Sequence, residues 1–397
     1  VDFDDTPEEA AFRAEVRAFL ARCAPREAPR YRGGHDLAAL LAEQRRWQRT
    51  LFEAGWAVPA WPREYGGRGL SAGQRQIWAE ELGRIGRRDS MLAGGLDMLG
   101  PTLIEHGSEA QKRRFLEPTA RGDILWCQLF SEPGAGSDLA SLATRAVRDG
   151  DDWRITGQKV WSSFANHADM GFLLARTDPS VPKHAGIGFF LLDMRAPGVE
   201  VRPLVEMTGG NHFNEVFLAG VRVPGENLVG GPGEGWTLAR TTLRHERLSI
   251  GSFSALAPVE RLLAQVRAQG GTDPVTAGAM ARLFAQARAL DLLSARVRTA
   301  LARGQQPGPG ALVMKNAISD VMLRAADLGM RAIGADALAA DGPFQHDFLF
   351  APSLHIGGGT EEVLKSLAAE QGLGLPREPD ATRGVPFEEL TRSGSAR

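Results

Sequence analysis

A chain of 397 residues, 43% hydrophobic and 24% charged, is too long for one simple core and has the make-up of two or three packed globular units. Its formal charge of −2 supplies no attraction toward nucleic acid or an anionic membrane, so neither is expected as a partner. Cys23 and Cys127 are its two cysteines, far apart and without ligand spacing, which argues against a disulfide framework and a zinc site; no metal is expected.

No apolar run approaches the roughly 18 residues of a membrane span. The first residues are acidic, unlike the basic-then-apolar pattern of a secretory signal, and a cytoplasmic location is the expectation.

Residues 1–122 read as a helical domain. Thr6-Pro7-Glu8-Glu9 combines an N-cap, a proline at the first helical position and a capping-box glutamate. Phe12, Val16, Phe19 and Leu20 follow at helix spacing, and a second helix carries Leu37, Leu40, Leu41, Trp47 and Leu51 before Gly55. Ser71 and Ser108, the latter with Gln111 three residues on, mark two further helix starts.

Between 123 and 231 the period shortens. Strands are predicted over Ile124–Phe130, Trp153–Thr156, Gly171–Ala175, Ile187–Asp193, Val199–Leu204 and Val216–Val223. Turn dipeptides such as Asp149-Gly150 and Pro197-Gly198 separate them, which suggests a small antiparallel barrel or sandwich. From 232 to 376 the helical period returns: a long helix from Gly235 toward Arg267, others near 275–303 and 311–333, a Gly/Pro loop from Arg303 to Gly310, and a last helix from Thr360. Residues 377–397, rich in Pro, Arg, Asp and Ser, read as a disordered tail. No internal repeat is evident.

The most informative stretch is Cys127-Gln-Leu-Phe-Ser-Glu-Pro-Gly-Ala-Gly-Ser-Asp138, a buried strand entering a Pro/Gly turn. Lys159-Val-Trp-Ser-Ser163 is a second strand that ends in an aromatic and two hydroxyls. With Gly55–Gly69, Val201-Arg-Pro-Leu204, Asn214–Phe217, Gly233-Glu-Gly-Trp236 and Gly358-Gly-Thr360 in the same order and spacing, they resemble the acyl-CoA dehydrogenase family over nearly the whole chain. The resemblance implies an α+β multidomain fold: an N-terminal helical domain, a middle β-barrel or sandwich, and a C-terminal domain like a four-helix bundle. It also implies FAD as cofactor and α,β-dehydrogenation of an acyl thioester, on coenzyme A or an acyl-carrier protein. An electron-transfer flavoprotein would take the electrons. The chain would work as a homo-oligomer (dimer or tetramer) or as a hetero-oligomer with a related subunit.

By this resemblance Gln128, Phe130 and Ser131 line one side of the flavin, and Trp161 and Ser163 the other. Ser137 would touch both flavin and acyl group. Thr360 and Glu362, opening the last helix, would serve the phosphate end of FAD, since helix N-termini favour anions. There are departures. The family often has Tyr or Phe at Gln128 and threonine at Ser131 and Ser163. Its adenosine-gripping Arg-x-x-Phe-Gly segment reads Gly270–Gly278 here, and a later Gln-x-x-Gly-Gly element reads Arg331-Ala-Ile-Gly-Ala335. No G-x-G-x-x-G dinucleotide fingerprint is present, so no Rossmann domain is expected.

The reaction needs a carboxylate base for the proton α to the thioester, and donors to its oxygen. Many members carry a glutamate immediately before the final Gly-Thr; this chain has Gly358 there, which keeps only a backbone amide for the oxygen. A minority branch carries its base as Glu-Arg on the long helix, matched here by Glu246-Arg247. Independently, Glu246 lies on the helical stripe Leu243, Glu246, Ile250, Phe253. A carboxylate on an apolar stripe is paired, at an edge, or more readily protonated than the free ~4.3. Glu246 is therefore the expected base, with an ordinary ion-paired carboxylate as the alternative. Arg247 and Gly359 are expected to contact substrate, Arg247 having an intersubunit salt bridge as its other reading. None of His106, His167, His212, His245, His346 and His355 has a carboxylate orienter at recognisable spacing. Two other functions stay open: a non-catalytic flavin-scaffolding subunit of a mixed tetramer, and a flavin monooxygenase on the same fold.

Overall fold

The computed structural model describes residues 5–24, 36–85, 90–250, 255–302, 305, 310–339 and 344–394. They pack as two compact units. A sheet unit comprises Arg17–Leu70, Leu82–Glu246 and the segment from Glu378 onward; a helical unit comprises the residues up to Val16, Ser71–Glu81 and Arg247–Arg377.

The described residues up to 122 carry helices and no strand. Helices α1 (Pro7–Cys23), α2 (Leu37–Glu53), α3 (Ala72–Arg84), α4 (Gly100–His106) and α5 (Glu109–Arg121) fall there, with a turn of π-helix at Gly94–Leu99. The capping signals act as read: the Ser108 hydroxyl accepts from Gln111 N while Gln111 Oε1 accepts from Ser108 N. Ser71 and Gln74 form the same reciprocal pair.

Eight strands follow: β1 (Trp126–Leu129), β2 (Arg145–Asp149), β3 (Asp152–Lys159), β4 (Met170–Arg176), β5 (Ile187–Asp193), β6 (Val199–Pro203), β7 (Asn214–Val223) and β8 (Leu228–Val229). They form one sheet in the order β6-β7-β3-β2-β4-β5-β8, with β1 beside β4. Most pairs are antiparallel, but β1 runs parallel to β4, and β2 meets β4 in parallel at Arg145 and Arg176. Strands β4 and β5 are buried on both faces, which is why they read as continuous apolar runs. Leu173, Ala175, Phe190 and Leu192 pack with Leu37, Leu40 and Leu41 of α2 on one face. Phe172, Leu174, Phe189 and Leu191 pack on the other with Leu103 of α4, Phe115 of α5, and Leu238 and Ala239 of α6 (Gly235–Ile250).

In the helical unit, α7 (Leu256–Ala268), α8 (Pro274–Ala302) and α9 (Gly310–Ile333) share a core of Val259, Leu283, Ala287, Met314, Ile318 and Val321. The short helices α10 (Gln345–Phe350) and α11 (Glu361–Leu367) follow. The long helix expected to reach Arg267 is α6 and then α7, with residues 251–254, Phe253 among them, outside the described residues. Most of the expected Gly/Pro loop, Arg303 to Gly310, also lies outside them.

The disordered tail expected after Pro376 is corrected at its far end. Pro386 bridges to Pro182, Phe387 N donates to Val181 O at 3.0 Å, and α12 (Phe387–Gly394) follows. The physical reason is one apolar anchor in a polar stretch: the Phe387 ring is buried under the Arg176 guanidinium. Among the described residues no helix is long and apolar enough to cross a membrane.

The fit of α4 against buried Trp61 is tight. A Cβ at Gly100 would stand 2.1 Å from Trp61 Cζ2, a ring fixed by its Nε1 donating to Leu96 O at 3.1 Å. Alanine's helix advantage of about 1 kcal/mol is smaller than overpacking costs of about 1–3 kcal/mol. Gly100→Ala is therefore expected to lower stability, read as a shifted denaturant midpoint at unchanged slope.

Candidate active site

Two strand exits build the first wall. Strand β1 is held by β4, then the chain turns out at Phe130 and closes on itself, Glu132 N to Ala135 O at 3.1 Å and Ala135 N to Glu132 O at 3.0 Å. Strand β3 ends at Lys159, whose side chain is fully buried. Its Nζ donates to Phe130 O at 3.0 Å and to Glu132 Oε1 at 2.7 Å, and Val160 N donates to Ser131 O at 3.0 Å. Glu132 also accepts from the amides of Ala143 (2.6 Å) and Thr144 (3.0 Å). Burial raises the Glu132 carboxyl, but the charge and hydrogen bond of Lys159, with those amides, outweigh it and hold the group below 4.5. Burial pushes Lys159 down against the pull of Glu132.

Beyond Lys159 the backbone is strained. Trp161 has φ +58° and Phe164 φ +57°, a left-handed conformation that bulky residues rarely take. Ser162 N donates to Asn214 O (3.1 Å), Asn214 Nδ2 donates back to Ser162 O (3.0 Å), and Phe164 N donates to His212 O (2.6 Å). These bonds hold the chain so that the Trp161 indole is 61% exposed, with the Phe213 ring edge-on at 5.7 Å.

The donor set suits a flat aromatic cofactor with polar edges. Gln128, Ser131 and Ser163 are half-buried, Ser137 is exposed, and the turn has open space at Gly134 and Gly136, where a Cβ would meet nothing within 4 Å. Phe130 is placed differently from expectation. Its ring is buried edge-on to Phe172 and Phe189, and its carbonyl is taken by Lys159, so it offers the wall no side chain.

Helix α6 brings Glu246 to the end of the same unit. Leu238, Ala239 and Thr242 are its buried face, and Glu246, four residues after Thr242, is half-buried on that face. Leu243 packs on the core as the stripe required; Ile250 lies in the helix, and its side chain is outside the described residues. The two preceding side chains are engaged by Glu105: Arg244 Nη2 reaches both carboxylate oxygens at 2.6 and 2.8 Å, and His245 Nε2 lies 2.9 Å from one. Burial opposes this, yet His245 and Arg244 hold the Glu105 carboxyl below its ordinary value.

The helical unit holds Arg247, which is exposed, and the loop Gly358-Gly359-Thr360. Gly358 and Gly359 are both left-handed, at φ +70° and +96°. Helix α9 grips the loop with three side chains on successive positions of one face: Lys315 Nζ to Gly359 O (2.9 Å), Asn316 Nδ2 to Glu361 O (3.2 Å) and Ser319 Oγ to Leu354 O (3.0 Å). Thr360 and Glu362 are less suited to phosphate than expected. The Thr360 hydroxyl caps α11 by accepting from Val363 N, and Glu361 and Glu362 already place negative charge in its first turn.

Lys159–Glu132 and Lys315 are the supporting residues that sequence reasoning missed. A signal existed for Lys315, a lysine beside the buried stripe Met314, Ile318, Val321; Lys159 follows the polar Thr156-Gly157-Gln158 and carries none.

The chain matches the acyl-CoA dehydrogenase N-terminal domain over residues 6–123, the middle domain over 127–221 and the C-terminal domain over 233–373. The chain belongs to the acyl-CoA dehydrogenase family. It is thereby an oxidoreductase of the CH–CH class in a flavin-dependent family. It is 42% identical to acyl-CoA dehydrogenase FadE34 of Mycobacterium tuberculosis over 94% of its own length, and spans 50% of that protein. Against acyl-CoA dehydrogenase IpdE1 of the same organism the figures are 38% identity, 92% of this chain and 98% of the relative. Among solved structures, the Tcur3481-Tcur3483 steroid ACAD superimposes with a TM-score of 0.82 at 31% identity, covering 95% of this chain and 100% of that one. The ChsE4-ChsE5 complex from M. tuberculosis gives 0.80 at 31%, over 95% and 100%.

Removing one partner of the buried pair leaves the other charge uncompensated, which costs about 3–5 kcal/mol. Lys159→Met is expected to lose about that much, and Lys159→Met with Glu132→Gln to recover part of it. Because Glu132 is held below 4.5, its stabilisation is complete above that pH and is lost as pH falls through its folded value. Denaturant midpoints followed downward from pH 4.5 should fall more steeply for the parent than for the double variant.

Proposed function

We propose that this chain dehydrogenates an acyl-CoA thioester between its α and β carbons, with FAD as cofactor and Glu246 as the base. The observation that carries this is the place of Glu246: half-buried on the inward face of α6, one turn after the buried Thr242. A carboxylate on such a face is set to take a weakly acidic α proton. Gly358, whose left-handed backbone needs no side chain, would offer its amide to the thioester oxygen, and Gly359 and Arg247 would contact the acyl group. Gln128, Ser131, Ser137 and Ser163 would hold the flavin edge, and Trp161 its face. FAD, when bound, supplies the acceptor for the β hydrogen as hydride. An electron-transfer flavoprotein is the proposed onward acceptor.

The names of the structural relatives favour a mixed oligomer with a related subunit and a steroid-type acyl group as substrate. Sizing the chain alone and after co-expression with a paralogous subunit separates a homo-oligomer from a mixed one.

Glu246→Gln is the direct test. Loss of a general base costs typically about 10²–10⁴-fold. The variant should keep its yellow flavin and lose that much turnover on the best thioester of a panel spanning straight-chain and steroid-side-chain acyl-CoAs. Turnover within a few-fold of the parent would remove Glu246 from the mechanism.

A further inference from the structure

We propose that Arg176 and Phe387 form a clasp by which the segment after Glu378 positions the turn that carries Ser137, making both of them positioning residues for the flavin wall. The inference rests on the flavin reading of that wall, but its geometry lies within the sheet unit and is independent of Glu246.

Arg176 ends β4 and is 3% exposed. No carboxylate pairs with it among the described residues. Its guanidinium is satisfied by carbonyls instead: Nη1 donates to Lys183 O at 2.5 Å, and Nη2 to Ala140 O and Leu142 O at 2.6 and 3.1 Å. Its backbone amide donates to Thr144 O at 2.6 Å. Nε is buried without an acceptor, and one face of the cation is covered by the Phe387 ring, 3.9 Å from Cζ. A buried cation with no carboxylate in direct contact, Glu132 acting on it only through space, depends on such carbonyls and on the ring face in place of water. Burial lowers its pKa to about 10 against the pull of Glu132.

The three carbonyls belong to two segments that matter for the wall. Ala140 and Leu142 follow Ser137-Asp138 directly, in and after a turn of 3-10 helix at Leu139–Ser141. Lys183 belongs to the loop before β5, and its Nζ holds Asp138 through both oxygens, at 2.9 and 2.7 Å. The segment from Pro386 is tied to that same loop by the Pro182–Pro386 bridge, by Phe387 N to Val181 O and by Glu388 N to Pro179 O, each at 3.0 Å. Three stretches distant in sequence therefore meet at one cation. Lifting the ring exposes the cation to water, which competes for the carbonyls that hold the turn.

The test uses the full flavin-loaded chain and FAD itself as probe. Phe387→Leu keeps an apolar anchor but removes the ring face; Phe387→Trp keeps a ring. The expected result is about tenfold faster FAD release for Phe387→Leu, with faster backbone hydrogen exchange across 137–142, and values within about twofold of the parent for Phe387→Trp. An anchor that served packing alone would be satisfied by leucine. Parent-like FAD release in Phe387→Leu overturns the proposal, whether or not exchange quickens. If Phe387→Leu does not fold, Arg176→Lys, with its single ammonium in place of the fork, is read by the same two measurements. Should the parent hold no FAD, the flavin reading fails, and exchange across 137–142 alone decides for or against the clasp.

Discussion

Everything at the candidate site depends on a lysine that has been taken out of water. Lys159 brings its ammonium to the point where the exits of β1 and β3 meet, and Glu132 returns the charge while accepting from the amides that lead into β2. Desolvating two ions costs several kcal/mol each, so the pair adds little net stability unless every bond is made. What it contributes is definition. The two exits are joined by the single backbone bond from Val160 N to Ser131 O, and the ion pair adds the side-chain tie that gives each one place relative to the other. The half-buried Gln128, Ser131 and Ser163 inherit that placement.

The sheet supplies the rigidity behind this. With β4 and β5 buried on both faces, neither the strand that pairs with β1 nor its next neighbour has a face that can relax toward solvent. Strain can therefore be held at the margin, and it is held at Trp161 and Phe164, two aromatic residues in left-handed conformation on either side of Ser162-Ser163. Such strain survives where surrounding bonds over-determine the backbone, and Asn214 and His212 provide them. The exposed indole is thus a fixed surface on a stiff support rather than a loose side chain. In the helical unit α9 serves a similar end by different means, three polar side chains gripping a glycine loop from a buried helix face.

The legible parts of the molecule were those where local chemistry and burial agree. Apolar runs gave β4 and β5 their limits because both faces of those strands are covered, and Ser108 with Gln111 marked a helix start because the cap satisfies itself within four residues. Strand β2, Arg-Ala-Val-Arg-Asp, was missed because four of its five side chains are exposed and only Ala146 turns inward. The order of the strands, and the parallel join of β1 to β4, were out of reach because long-range pairing leaves no periodic trace. At the site, motif order brought out Gln128, Ser131, Trp161 and Ser163, but whether a residue turned inward was not written locally. Phe130 shows this: one position from a half-buried neighbour, it faces the core. The tail misled for the opposite reason, since its composition is polar and a single phenylalanine sets its path.

The two left-handed glycines before Thr360 limit what could stand in their place. At φ +70° any side chain at 358 would meet a penalty of about 1–2 kcal/mol from its own backbone, before its chemistry counted at all. A carboxylate side chain placed there would have to remodel a loop already pinned by Lys315, Asn316 and Ser319, so glycine at 358 and the set of the loop come as one choice.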